Sequence, residues 1–234
     1  LLASPNALSS DQADPDLLLN SIQLSYRGSQ RTFSNNSGDL GRISYMGGRQ
    51  YLDNYGDGTL NGAWNSFYSN NQPNLLALEQ ISEANPDRDL SYHLGVAKTL
   101  QAHTLMQLVD YLGDIPWSEA NNSAEFPKPS VDDDASVYDA AIAYLSEAAG
   151  HFASGAGIGT GTDFFYDGDA GKWSKLVKTL QMRANLTVGN YAAVASATGV
   201  IESTADDFQF DYGTNVLSPD KRHPAYASDY DNSG

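Results

Sequence analysis

The chain has 234 residues, and its 41% hydrophobic content is sufficient for a folded core. Thirteen basic and 29 acidic residues give a formal net charge of -16, which argues against nucleic-acid binding through a positive surface. The absence of cysteine excludes disulfides, thiolate metal sites and cysteine nucleophiles, and no apolar run approaches the roughly 20 residues of a membrane-spanning helix.

The first predicted helix covers residues 14–33, with Pro15 in its first turn, where a missing N–H costs nothing. A polar, Gly-rich segment follows at residues 35–62 and is long for an unstructured connection, so we expect it to be functional or partly helical. Its aromatic rings lie beside guanidinium and amide groups, a combination that suits sugar recognition. The ligand-binding candidates are Tyr45, Arg49, Tyr51, Asn54 and Tyr55. Alternatively, the rings only pin this loop to the helices.

The second and third helices are predicted from apolar residues at helical spacing. The second begins near Thr59, and Pro73 should kink it or divide it in two. The third has the clearest periodicity, over residues 90–111, and we expect it to end at Gly113. Within it, Gly95 is small enough to let a neighbouring helix approach closely.

Two further helices and one weaker helix complete the prediction. The fourth begins near Asp133 or Asp134, whose charges favour a helix N-terminus. The fifth runs from residue 170 to residue 186, and a weaker helix covers residues 191–202. Alternation typical of strands is almost absent. The prediction is an all-α fold of stacked helix pairs like tetratricopeptide repeats, with long irregular loops, in a single domain over residues 1–234.

Candidate metal sites have simpler interpretations as polar helix residues and turns. The four histidines lack the spacing of a zinc helix. Two Asp-Gly segments, residues 53–58 and 163–168, resemble the start of a calcium loop but lack suitable residues at its third and twelfth positions. We therefore favour turns that lead into helices, and calcium binding stays open. Residues 132–134, three consecutive aspartates, are interpreted as a helix cap.

No residue pattern indicates catalysis. There is no G-x-S-x-G motif, and the acidic residues share no apolar setting that would raise the pKa of one of them. The Gly-rich residues 155–159 lack the context of a phosphate-binding loop. Four basic residues share the fifth helix and form either a docking stripe or, as we favour, a solvated face. They are Lys172, Lys175, Lys178 and Arg183. The chain is therefore predicted not to be an enzyme and to need no cofactor.

Two stretches carry a family resemblance. Residues 95–102 read G-V-A-K-T-L-Q-A, and residues 108–120 read L-V-D-Y-L-G-D-I-P-W-S-E-A. They resemble the SusD/RagB family of outer-membrane lipoproteins, whose pattern is G-x-A-x-x-x-R-A followed by L-V-x-x-Y-G-D-[IV]-P-[YW]-[ST]-E-A. Gln101 replaces the usual Arg, and Leu112 is an additional residue. Residues 163–183 resemble a second family pattern, D-x-x-Y-x-G-D-x-x-K-W-x-x-x-x-x-[ST]-L-x-x-R. The residues assigned to structural motifs are Trp64, Tyr68, Gly113, Asp114, Pro116, Asp169, Trp173 and Arg183.

The resemblance implies a function that the residues alone do not. Members of this family are cell-surface lipoproteins of Bacteroidetes-type bacteria, and they act as the lid of a TonB-dependent outer-membrane transporter of the SusC-like kind. They bind oligosaccharides or other nutrients, without family-wide catalytic residues. The chain would be the amino-terminal half of such a protein, held at the membrane through a lipid anchor that precedes it. The alternative is a tetratricopeptide-type scaffold that binds a protein and no small molecule.

Overall fold

The computed structural model describes residues 13–43, 56–154, 157–159, 161–214, 222–223 and 226. Its helices are α1 (Pro15–Leu40), α2 (Asn61–Ser66), α3 (Gln72–Ala84), α4 (Ser91–Leu112), α5 (Asp134–Ala153), α6 (Ala170–Thr187) and α7 (Tyr191–Ala195). A 3-10 turn follows at Thr204–Asp206. The described residues contain no strand and only one isolated bridge, between Ile115 and Asp132. The prediction of an all-α fold is confirmed.

Helix α1 is longer than its sequence predicted, since it continues through Leu40 rather than ending near Phe33. The expectation that residues 35–62 are partly helical is confirmed at both ends of this segment, because α1 includes residues 35–40 and α2 begins at Asn61. The amide of Asn36 explains the extension, because it donates both to the Thr32 carbonyl within the helix (2.8 Å) and to the Thr59 carbonyl beyond it (3.4 Å). Tertiary contact therefore overrides the weak helix propensity of this polar stretch.

Pro73 divides the second predicted helix, as expected. The segment Phe67–Asn71 is a π-helix between α2 and α3, and Pro73 lies in the first turn of α3. Because proline has no N–H, the α-helical ladder cannot continue unbroken through this position. The wider turn accommodates the interruption while the chain keeps its direction.

The weaker helix predicted over residues 191–202 is wrong in extent, because α7 ends at Ala195. Gly199 then adopts a positive φ of 68°, which terminates helical geometry. The N–H of Ile201 donates to the hydroxyl of Thr179 on α6 (2.9 Å). The chain therefore returns along α6 in an irregular conformation instead of forming a full partner helix.

Helices α1 and α4 run parallel in a constant register. Three side-chain hydrogen bonds join residues that are 77 positions apart, and the same offset at both ends and in the middle requires parallel axes. These pairs are His93 with Asp16 (2.7 Å), Tyr26 with His103 (2.7 Å) and Gln30 with Gln107 (2.6 Å). The segment α2–α3 is antiparallel to α1, because Thr59 just before it contacts Asn36 late in α1 (3.4 Å), whereas Asn74 further along contacts Ser21 early in α1 (2.9 Å).

Helix α4 forms the centre of the fold, with 16 of its 22 residues buried. It packs antiparallel to α5 so closely that a Cβ at Gly95 would lie 2.9 Å from ring atoms of Phe152. This confirms the close approach expected at Gly95. The helix pairs α1 with α2–α3 and α4 with α5 therefore have the stacked arrangement of tetratricopeptide repeats. No helix among the described residues has the length and apolarity to cross a bilayer.

Candidate functional sites

The five predicted ligand-binding residues lie outside the described part of the chain. Tyr45, Arg49, Tyr51, Asn54 and Tyr55 belong to residues 44–55, and their assignment remains a prediction. The described residues on both sides are tied to α1. On one side the Ile43 N–H donates to the Gly38 carbonyl of α1 (2.9 Å). On the other side the Thr59 carbonyl accepts from Asn36 of α1 (3.4 Å), and the Thr59 hydroxyl donates to the carbonyl of Gly56 (2.7 Å). The described residues that flank 44–55 are therefore attached at the carboxyl-terminal end of α1.

Aromatic motif residues meet at this same end of the helices. The rings of Trp64 and Tyr68 lie 4.5 Å apart, and the Tyr68 hydroxyl donates to the Pro116 carbonyl (2.6 Å). Gly113, at φ +72°, ends α4 and turns the chain towards this contact. The turn at Gly113 and Pro116 is therefore attached to the segment that follows α2.

Asp132 ties down the loop between α4 and α5. Its carboxylate accepts hydrogen bonds from the Trp117 N–H (2.8 Å), the Ser118 N–H (3.1 Å) and the Ser118 hydroxyl (2.6 Å). Partial burial raises the pKa of Asp132, but these hydrogen bonds outweigh that effect and hold it below its ordinary value. Asp132 thus stabilises the turn, whereas its neighbour Asp133 is the N-cap of α5 that the sequence predicted.

Three exposed carboxylates beside this turn are the residues best placed to hold a metal ion within the described segments. Oxygens of Asp114, Asp133 and Asp134 lie within 4.8 Å of one another. Two of these side chains already have a structural role, since Asp114 accepts from the Asp134 N–H (3.1 Å) and Asp133 accepts from the Ala135 N–H (3.2 Å). Their arrangement is sufficiently explained as capping of α5.

Asp163 organises the turn before α6. The residue is 4% exposed, and its two oxygens accept five hydrogen bonds of 2.8–3.2 Å. The donors are the Tyr92 hydroxyl, the Trp173 indole N–H and the main-chain N–H groups of Phe165, Tyr166 and Gly168. Asp169 caps α6 through the Lys172 N–H (3.0 Å). The interpretation of this segment as a turn leading into a helix is confirmed, and Trp173 is fully buried.

A polar chain crosses α1, α4 and α6 around His103. Its Nδ1 lies 2.7 Å from the Tyr26 hydroxyl, and its Nε2 lies 3.4 Å from the guanidinium of Arg183. Burial, assisted by the positive charge of Arg183, lowers the pKa of His103 from 6.5 to about 3. Because Arg183 can only donate, we assign Nε2 as the acceptor and Nδ1–H as the donor to Tyr26. His103 is therefore a neutral cross-link between helices.

Two of the α6 basic residues form ion pairs although their side chains remain exposed, at 42% for Lys175 and 46% for Arg183. Lys175 contacts both carboxylate oxygens of Asp206 at 2.8 Å, and this hydrogen bonding lowers the pKa of Asp206. Arg183 forms an ion pair with Asp110 (3.2 Å) as well as contacting His103. The partners are 31 and 73 residues away in the chain, so sequence periodicity contained no signal for them.

A buried lysine is a feature that the sequence did not reveal. Lys98 on α4 is 5% exposed and forms ion pairs with Glu79 and Glu147. Its ammonium also lies 5.0 Å from the centre of the Tyr144 ring. Burial lowers the pKa of Lys98, but hydrogen bonds to Glu147 and Glu79 outweigh it and give a net increase. The charge is thus retained and links α3, α4 and α5.

Comparisons with known proteins identify close structural similarities. A SusD-like family model, described as starch-binding associating with outer membrane, matches residues 5–227. A SusD/RagB family protein of Bacteroides thetaiotaomicron is 23% identical, with a TM-score of 0.71, over 87% of this chain and 46% of that one. A SusD homolog of Bacteroides uniformis is 22% identical, with a TM-score of 0.68, over 84% and 46%.

A third solved structure, of a chitin-binding protein, is 26% identical with a TM-score of 0.61, over 83% of this chain and 45% of that one. No curated protein matches the chain. The chain therefore spans about half the length of these three solved structures. At such identities the structures support the fold, while the family match covers most of the chain.

Proposed function

The chain belongs to the SusD-like family, described as starch-binding and associated with the outer membrane, and on that premise we propose that it binds an oligosaccharide at the cell surface. The observation that carries the proposal is the family match over residues 5–227. A net charge of -16 is compatible with a neutral sugar, because such ligands are held by hydrogen bonds and ring stacking rather than by charge.

We place the sugar at the loop formed by residues 44–55. Its tyrosines would stack on sugar rings, while Arg49 and Asn54 would donate hydrogen bonds to hydroxyl groups. The attachment of the flanking residues to α1 supports this assignment, because a binding loop gains precision when a rigid scaffold holds its ends. Binding would then need no movement of the helix pairs.

We further propose that the whole protein is a surface lipoprotein and acts as the lid of a TonB-dependent, SusC-like transporter. Stacked helix pairs support this role, because they provide an extended, stiff surface for a large partner. No cofactor and no chemical step are part of the proposal. The lid would capture the sugar and transfer it unchanged.

The direct test is a glycan-array measurement on the full-length mature protein, followed by calorimetry with the best ligand. The array should include starch and chitin oligosaccharides, since one similar structure is a chitin-binding protein. Tyr51→Ala and Tyr55→Ala should each weaken binding at least about tenfold by removing a stacking face. Tyr191→Ala is the matched control, because Tyr191 is 68% exposed and lies on α7.

Three results would count against the proposal. If all three variants bind with the affinity of the unaltered protein, residues 44–55 are not part of the binding site. If the array yields no glycan ligand, the protein does not bind a sugar. Binding of a peptide library without any glycan would favour the scaffold alternative. The transporter is tested separately by isolating the affinity-tagged protein from its native outer membrane, where a stoichiometric β-barrel transporter is expected.

A further inference from the structure

A short extended segment lies across the helices after the 3-10 turn, and we call residues 207–212 the strap. Its side chains alternate in exposure as those of a β-strand do. Phe208, Phe210 and Tyr212 are half-buried. Asp207, Gln209 and Asp211 are exposed. The strap therefore presents one aromatic face to the helices and one polar face to solvent.

Apart from the hydrogen bond from the Asp207 N–H to the Thr204 carbonyl (3.3 Å), ring contacts hold the strap in place. Phe208 stacks on Phe165 with ring centroids 4.4 Å apart, and its ring lies 5.5 Å from that of Trp173. The Arg27 guanidinium on α1 lies 5.5 Å from the Phe210 ring and 5.7 Å from the Tyr212 ring. In the part of the chain that the structure describes, no main-chain N–H or C=O of residues 208–212 makes a hydrogen bond.

The residue before the strap is firmly anchored by contrast. Asp206 is paired with Lys175, and its carbonyl accepts a hydrogen bond from the Tyr166 hydroxyl (2.9 Å). The contacts that hold the chain thus change between Asp206 and Phe208. Asp206 is held by an ion pair and a main-chain hydrogen bond, whereas residues 208–212 are held by ring contacts. Separation of the rings would release residues 208–212 without breaking any main-chain hydrogen bond that these residues make.

The strap occupies a cleft whose walls are α1 and α6. Tyr26 of α1 and Trp173 of α6 both contact the Phe208 ring, at 5.8 and 5.5 Å. Helix α4 lies between the two walls, because His103 contacts both Tyr26 and Arg183. Such a cleft, lined by rings and by a cation at Arg27, recognises alternate side chains of an extended peptide.

We propose that this cleft is an exchangeable peptide site whose resident occupant is the strap. Its ligand class is an extended protein segment with aromatic side chains at alternate positions, bound through those side chains. In the resting chain the covalently attached strap outcompetes such a segment, because its effective concentration is high. Release of the strap opens the site to a partner. This inference is independent of the proposed sugar site, which lies in another segment.

The test uses full-chain variants and a fluorescent synthetic peptide with the sequence of residues 203–213, followed by anisotropy. Phe208→Ala/Phe210→Ala weakens the strap and should bind the peptide at least about tenfold more tightly than the unaltered chain does. Gln209→Ala/Asp211→Ala changes only exposed residues and should bind as weakly as the unaltered chain. A peptide with alanine at both phenylalanine positions should not bind.

Helical circular dichroism identifies which variants fold, and Phe210→Ala alone carries the test if the double variant does not. Saturable binding confined to the strap variants and to the aromatic peptide supports the proposal. A folded strap variant that fails to bind the peptide overturns it. Equal binding by the unaltered chain, or binding of the alanine peptide, also overturns it, because the contact would then lie outside the cleft.

Discussion

The half-buried His103 makes the stability of the fold depend on pH. Its pKa falls from 6.5 to about 3 on folding. The unfolded chain therefore binds a proton at His103 below about pH 6.5, whereas the folded chain binds this proton only below about pH 3. The free energy of unfolding should therefore decrease as the pH drops through this window, by about 1.4 kcal/mol per pH unit. Between about pH 7 and about pH 4.5 the decrease amounts to roughly 2–3 kcal/mol.

Carboxylates also titrate in this range, so the measurement needs a matched variant. His103→Gln keeps a hydrogen-bonding amide but cannot gain a charge. Urea unfolding of both proteins, followed by circular dichroism at each pH, gives four free energies of unfolding. The unaltered chain should lose roughly 2–3 kcal/mol more than the variant on acidification. Equal losses in the two proteins would refute the neutral, buried state assigned to His103.

Three substitutions test the packing of the core. Trp173→Ala removes a fully buried ring and one hydrogen-bond donor to Asp163. It should lower the free energy of unfolding, measured in urea, by about 3–5 kcal/mol. A loss below about 1 kcal/mol would place the indole outside the core. Gly95→Ala should lower the Tm because its Cβ meets the Phe152 ring, and adding Phe152→Leu should restore part of it. Gly113→Ala should cost about 1–3 kcal/mol in the same urea assay, since φ is +72°, and no change would mean that the turn relaxes freely.

The sequence predicted the repeating helices because their information is local. Apolar spacing located α4 to within a residue or two, Gly113 marked its end, and Asp133 marked the start of α5. Pro73 located the interruption of the second helix. Each of these signals depends on residues within one or two helical turns of the position it marks. Helix caps and helix-breaking residues can therefore be recognised from the local sequence alone.

The cross-links between helices could not be predicted, since each joins residues far apart in the chain. Asp163 is an ordinary turn aspartate by sequence, yet its burial depends on Tyr92, 71 residues earlier. His103 and Arg183 likewise acquire their roles only when α4 and α6 become neighbours. The end of α1 was misplaced for a related reason, because Asn36 is stabilised by a contact with Thr59. The assignment of the sugar site to residues 44–55 remains a prediction, because these residues lie outside the described part of the chain.

The most direct test of the central claim, that a rigid helical scaffold captures a sugar without altering it, is native mass spectrometry of the full-length mature protein. The protein is incubated with a panel of starch and chitin oligosaccharides, and the mass of each complex is measured. We predict a complex whose mass equals the protein plus one intact oligosaccharide, and recovery of the same oligosaccharide on dissociation. No complex with any oligosaccharide, or recovery of shortened products, would contradict it.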